Sequence, residues 1–213
     1  MYCKSWAVSD VGMKRDHNED SYLADDSLGL FVVADGMGGH LAGETASATA
    51  VEVVEQEIRS YFNSLGAEEK GGGTRMMFAA ADNSVENMLK RAMQMASSEV
   101  LEKSLENYEL KGMGTTCSLL FIQGGKIWFA HVGDSRIYRI TPDSLIRITT
   151  DHSLVQEQID AGLISREDAE NSTLKNIITR SIGFEADVEV DCRQIDWRSG
   201  DAFVLCSDGL TNL

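Results

Sequence analysis

Two apolar runs in this chain end on the same dipeptide, Phe31-Val32-Val33-Ala34-Asp35-Gly36 and Phe203-Val204-Leu205-Cys206-Ser207-Asp208-Gly209. A third, residues 127–132, runs into Gly133-Asp134. A buried strand that ends on a carboxylate holds an anionic oxygen rigidly at a loop, and a glycine beside it lets the backbone turn away. Three such ends suggest carboxylates converging on a hard metal ion. Every candidate ligand is an oxygen, which selects Mg²⁺ or Mn²⁺ over zinc. The run Asp35-Gly36-Met37-Gly38-Gly39-His40 is a poor phosphate loop, because Leu41 replaces the last glycine of G-x-G-x-x-G and no G-K-[ST] follows. A strand-ending Asp35 can instead bridge two divalent ions while the Gly36 carbonyl reaches one of them.

Upstream lies Arg15-Asp16-His17-Asn18-Glu19-Asp20. The planar fork of Arg15 suits two oxygens of a phosphoryl group. Alone, such a run reads first as a solvated polar turn. Beside Asp35, Asp134 and Asp208 the phosphoryl reading gains weight.

The net charge of −15 over 213 residues disfavours nucleic acid and anionic lipid as partners. Cys3, Cys117, Cys192 and Cys206 form no C-x-x-C pair and no Cys/His cluster, which excludes a zinc ribbon and a redox motif. Cys117 and Cys206 fall in apolar runs and read as core residues. No apolar h-region opens the chain and no stretch approaches a membrane span, so one cytoplasmic, soluble domain of 213 residues is expected.

The elements that must hold these residues follow from periodicity. Strands are expected over residues 6–9, 21–24 and 30–34. Ala46, Ala50, Val54, Ile58 and Phe62 recur every four positions and predict an amphipathic helix over 44–62. A flexible connection over 63–74, with Gly71 to Gly73, leads to a second helix over 75–107, whose stripe is Val85, Met88, Leu89, Ala92, Met95 and Ala96. Those methionines read as core filler rather than a binding groove. The two helices should pack as an antiparallel hairpin. Strands over 115–122, 126–131, 136–140 and 144–149 read as a meander, with turns at Gly124-Gly125 and Thr141-Pro142-Asp143. A short helix over 153–161, a capping box at Ser165 to Asp168, and strands over 187–195 and 201–206 follow. Segregated strands and helices predict an α+β architecture of antiparallel sheets with helices outside.

Seven motifs in order then match one family: Arg15-x-x-Asn18-Glu19-Asp20, Asp35-Gly36-x-Gly38-Gly39, Gly114-Thr115-Thr116, Val132-Gly133-Asp134-Ser135-Arg136, Asp151-His152-Ser153, Thr179-Arg180-Ser181-x-Gly183 and Ser207-Asp208-Gly209. Together they resemble the metal-dependent serine/threonine protein phosphatases of type 2C in their bacterial form. The resemblance implies an antiparallel β-sandwich flanked by pairs of antiparallel helices. By motif match, Asp35 would bridge two Mn²⁺ or Mg²⁺ ions, the Gly36 carbonyl would complete one, and Asp208 would bind the other. Glu19 would sit beside the centre, Asp20 behind it, and Asp134 would help Asp208 hold a third, weaker ion. Two ions roughly 3.5 to 4 Å apart lower the pKa of a bridging water, so the implied reaction is in-line attack on phosphoserine or phosphothreonine by a hydroxide, with Arg15 on the phosphoryl oxygens. Eukaryotic members place a histidine after Asp-Gly where this chain has Met37, so a metal-bound water is the expected acid. His40 is nearby and as readily structural. Residues 152–176 match the family's flap, although its charged helices are equally a solvated surface.

The family continues to a Gly-x-Asp-Asn segment whose Asp is a further ligand, whereas here the sequence ends at Leu213 and the only Asp-Asn is Asp82-Asn83. The last strands are therefore expected to be missing, with weak metal occupancy and low turnover. Three functions stay open: a phosphatase acting on phosphorylated proteins and opposing a Ser/Thr kinase, a silent domain that binds phosphoproteins or a kinase, and an acidic divalent-ion binder. A monomer is expected.

Overall fold

The computed structural model describes residues 3–39, 41–69 and 83–211. Its first sheet grows from the Asp-Gly strand. Strand β1 (Asp20–Asp25) and β2 (Leu30–Met37) pair antiparallel, with Asp20 opposite Asp35. Helix α1 (Leu41–Glu69) and helix α2 (Asn83–Glu106) follow. Then come β3 (Gly114–Thr115), β4 (Cys117–Gln123) and β5 (Lys126–Val132). With the later β8 (Asp191–Ile195) they form one sheet in the order β1-β2-β4-β5-β8, with β3 paired to the end of β2. Strands β6 (Arg136–Ile140), β7 (Leu145–Arg147) and β9 (Ala202–Cys206) form a second sheet in the order β7-β6-β9.

Side-chain alternation decides what each face of the first sheet meets. Leu30, Val32 and Ala34 of β2, Cys117, Leu119 and Phe121 of β4, and Trp128, Ala130 and Val132 of β5 pack with Ala46, Ala50, Val54 and Ile58 of α1 and Leu89, Met93 and Ala96 of α2. The intervening residues Phe31, Leu120, Ile127 and Phe129 face the other way and join Ile137, Phe203 and Leu205 of the second sheet. The period of two thus builds two cores on opposite faces of one sheet. Lys103, near the end of α2, donates to Thr49, near the start of α1, as antiparallel helices require.

Several expectations are corrected. No strand forms over residues 6–9: Trp6 is 79% and Val8 90% exposed, and this run makes no backbone ladder bond among the described residues. Helix α1 runs to Glu69 instead of stopping at 62, with Ser64 bonded back to the Tyr61 carbonyl. Gly71 to Gly73, and 75–82 of the second helical pattern, lie outside the described residues. In α2 the buried methionines are Met88 and Met93, whereas Met95 is 43% exposed. The meander is broken: β4-β5 and β6-β7 are hairpins, but the chain changes sheet between β5 and β6. Gly133, at φ 109°, makes that crossing, and its missing Cβ leaves room for Thr116.

Ser153 caps α3 (Leu154–Asp160), and the capping box predicted at Ser165 opens α4 (Arg166–Glu170). A last helical turn, α5 (Asp208–Thr211), starts on Asp208 itself. All four cysteines are free, and Cys117 and Cys206 are buried. Among the described residues no helix is long and apolar enough to cross a membrane.

Candidate metal centre

Asp35 is clamped through its backbone. Its N–H donates to Thr116 Oγ1 at 2.9 Å, and its carbonyl accepts from the Thr116 N–H and from Thr115 Oγ1, each at 2.9 Å. Thr116 Oγ1 bonds in turn to Ser135 Oγ at 2.7 Å, beside Asp134. The next residue ties in the Arg15 to Asp20 segment, because the Gly36 N–H donates to the Glu19 carbonyl at 3.0 Å. Ser47 of α1 donates to that same carbonyl at 2.6 Å. Ser207 Oγ, just ahead of Asp208, donates to Asp20 Oδ2 at 2.9 Å. The end of the second sheet is thereby bonded to the start of the first.

The glycine after Asp35 has a different reason from the expected one. Gly36 sits in extended strand, and the turn away from β2 is made by Gly38 and Gly39, at φ 134° and 79°. What Gly36 allows is close approach: a Cβ there would overlap the Gly43 carbonyl oxygen and lie 2.6 Å from the Glu19 carbonyl oxygen. Gly43 is equally tight, since its Cβ would lie 2.6 Å from Glu19 Oε2. Gly209 likewise makes no turn, because it lies within α5. The pair Gly36 and Gly43 brings β2, the Glu19 turn and the first turn of α1 into contact.

A cavity of about 550 Å³ opens over these residues. Asp35, Asp134 and Asp208 line it together, with Glu19 and Gly36, so the three carboxylates do converge, although β2 runs on through Asp35 to Met37 instead of ending there. Asp20 stands behind, opposite Asp35 on the neighbouring strand. Arg15 lines the mouth from an exposed turn, accompanied by Lys14 and His17. Asn176 and Ile178 form another part of the wall, just after α4. Lys14, Thr116, Asn176 and Ile178 had no assigned role in the sequence. Thr116 lay in a recognised motif, Lys14 beside Arg15 and Asn176 at the end of the segment read as a flap, so all three had a signal; Ile178 is placed by tertiary structure alone. His40 lies outside the described residues, and so does Asp82.

Burial pushes the Asp35 carboxyl up to about 8, with Asp20, Asp208 and Asp134 adding to the rise. Burial and the neighbouring Asp208 push Asp134 up to about 6. Among the described residues no three carboxylate, imidazole or thiolate groups yet surround a common point at ligand distance. Burial and the neighbouring aspartates hold the Asp35 carboxyl towards its neutral form, so a proton offsets the repulsion where a cation could. An all-oxygen set of mutually repelling, half-desolvated carboxylates fits a hard divalent ion.

Residues 13–213 match the family model described as Protein phosphatase 2C. A serine/threonine phosphatase stp of Listeria monocytogenes serotype 4b is 38% identical over 208 residues, 96% of this chain and 77% of the relative. Protein phosphatase PhpP of Streptococcus pneumoniae is 34% identical over 211 residues, 97% of this chain and 78% of its own. Among solved structures, the S. agalactiae serine/threonine phosphatase superposes with a TM-score of 0.80 at 34% identity, covering 96% of this chain and 79% of that one. The catalytic domain of the protein phosphatase PstP, in complex with two manganese ions, superposes with a TM-score of 0.73 at 30% identity, covering 96% and 77%. With its carboxylates converging as the motifs require and its matches running nearly end to end, the chain belongs to the protein phosphatase 2C family.

Proposed function

We propose that this chain hydrolyses phosphoserine and phosphothreonine in proteins, using two Mn²⁺ or Mg²⁺ ions. The observation that carries the reading is the meeting of Asp35, Asp134 and Asp208, from two sheets, beneath a mouth that presents Lys14 and Arg15. Asp35, the Gly36 carbonyl and Asp208 would hold the two ions with Glu19 beside them, and Asp134 with Asp208 would hold a third, weaker one. When bound, such ions supply Lewis acidity and a water acidic enough to act as a nucleophile near neutral pH.

The chain's own residues bind and orient. Thr115 and Thr116 fix the Asp35 backbone, and Ser207 fixes Asp20, which makes Asp20 a positioning residue. Arg15 offers its planar fork to two phosphoryl oxygens, and Lys14 adds a point charge. Both offset negative charge as the phosphoryl group transfers. Residues 152–176 read as a flap, with Asn176 bringing its end to the cavity wall. A Ser/Thr kinase as the opposing partner, a cytoplasmic setting and a monomeric state complete the proposal.

The test is hydrolysis of p-nitrophenyl phosphate and of a phosphothreonine peptide with Mn²⁺, before and after chelation. Turnover should vanish with the metal and in Asp35→Asn, and fall roughly 10²-fold in Arg15→Ala. Metal binding without turnover, or turnover indifferent to Arg15, would sink the reading.

A further inference from the structure

Beside the candidate metal centre lies a second cavity of about 330 Å³. It shares two walls with the first: Met37, from the glycine-rich turn, and Ile178 line both. Its remaining wall comes from residues 179–189, beyond the segment read as the flap. Met37, Ile178, Phe184 and Val188 give it one apolar side, Thr179, Arg180 and Ser181 a polar one, and Glu185 and Glu189 stand exposed at its rim.

That wall is built rigidly. Ser97 of α2 accepts from the Gly183 N–H at 2.9 Å and donates to the Glu185 carbonyl at 2.5 Å. Gly183, at φ 98°, lies so close to α2 that a Cβ would overlap Val100. Ile182 and Thr115 exchange backbone bonds at 3.0 and 2.9 Å, so the wall pairs with β3, whose Thr115 also bonds the Asp35 carbonyl. The Phe184 ring lies where a side chain on Gly114 would be, 2.6 Å from its ideal Cβ. The glycine of the Gly114-Thr115-Thr116 motif therefore seats Phe184.

The charges of the pocket are unequal. Its one cation, Arg180, is already committed: it pairs with Glu189 at 2.9 Å and Asp191 at 3.2 Å, and it bonds His152 Nε2 at 3.1 Å. Glu185 makes no ion pair among the described residues. A slot with one apolar side and surplus carboxylate at its rim takes a long aliphatic stem carrying a positive head.

We infer that this second cavity is a specificity subsite for a lysine or arginine adjacent to the phosphorylated residue of a substrate protein. The inference rests on the phosphatase reading above and names its substrate class. With the phosphoryl group at the metal centre, the common wall of Met37 and Ile178 leads the neighbouring side chain into the slot. The basic head meets Glu185, and the stem lies along Phe184 and Met37.

The experiment uses the full chain with Mn²⁺ and phosphothreonine peptides carrying Arg, Leu or Glu in turn on each side of the phosphoresidue. Two quantities are read: kcat/KM, referenced to p-nitrophenyl phosphate hydrolysis by the same protein, and Kd of fluorescent peptides by anisotropy. Arginine peptides should be favoured over glutamate peptides by about fivefold on at least one side, the size of a partly solvated ion pair. Glu185→Gln should flatten that preference and Glu185→Lys should invert it. Equal treatment of the peptides by the native chain, or a basic preference that survives Glu185→Lys, overturns the inference. If p-nitrophenyl phosphate is not hydrolysed, the phosphatase reading fails while the Kd series still decides the pocket.

Discussion

Asp35 stores a conflict that its cation would resolve. Its carboxyl titrates at about 8 in the folded protein, because burial and three nearby aspartates disfavour the anion, whereas an unfolded aspartate titrates at about 3.9. Between those values the folded chain holds a proton that the unfolded chain has released. Metal-free stability should therefore fall as pH rises from about 4 towards 8. Asp134, raised to about 6, adds a loss of the same sign over the lower half of that window. Metal must displace these protons, so binding should release protons and tighten with rising pH. Thermal melts at pH 5 and 7.5, with and without Mn²⁺, check both points. The metal-free melting temperature should drop at the higher pH, and the gain from Mn²⁺ should be larger there. A flat metal-free profile would remove Asp35 from this account.

Among elements, the junction of β2, the Glu19 turn and α1 rests on two glycines that do different things. At Gly36 a methyl group meets the backbone carbonyl of Gly43, which no rotamer change can move. Gly36→Ala should cost more than about 3 kcal/mol, at the upper end for forced overpacking. At Gly43 the nearest atom is the end of the Glu19 side chain, which can swing away. Gly43→Ala should cost roughly 1 kcal/mol and keep the fold, yet weaken Mn²⁺ binding by displacing the Glu19 carboxylate. Urea denaturation paired with Mn²⁺ titration separates the two. Equal stability losses would contradict the close backbone contact.

For the whole molecule, the centre depends on how two sheets face each other. Asp35 lies in β2 and Asp134 just past β5 of the first sheet, and Asp208 arrives from β9 of the second. Ile137, fully buried between the sheets, helps set that spacing. Leu89 is equally buried, but in the other core, between α2 and the first sheet. Truncation to alanine at either position should cost about 2–5 kcal/mol. Only Ile137→Ala should also weaken Mn²⁺ binding in protein that remains folded, since it loosens the sheet that carries Asp208. Calorimetric titration of both variants well below their melting temperatures decides it. Matching affinities would mean that the sandwich core does not tune the site.

Much of this was legible in the residues themselves. The apolar runs leading to Asp35, Asp134 and Asp208, the four-residue stripe of α1 and the Ser165 capping box are local patterns, set by side-chain periodicity and short-range hydrogen bonds. The order of motifs named the family without any coordinates. Long-range pairing was not legible. A strand signal over residues 6–9 forms no ladder among the described residues, and the apparent meander divides because Gly133 turns β6 into a different sheet. Alternation states which side of a strand is apolar but not which layer that side will meet. The true reason for Gly36, the Ser207 to Asp20 bond and the pocket walled by Met37 and Phe184 all join residues far apart in sequence. The sequence alone determined which carboxylates exist and which elements carry them. Tertiary packing decided how close they stand, and with that their elevated pKa values, because repulsion and desolvation depend on distance and burial, which no linear pattern encodes.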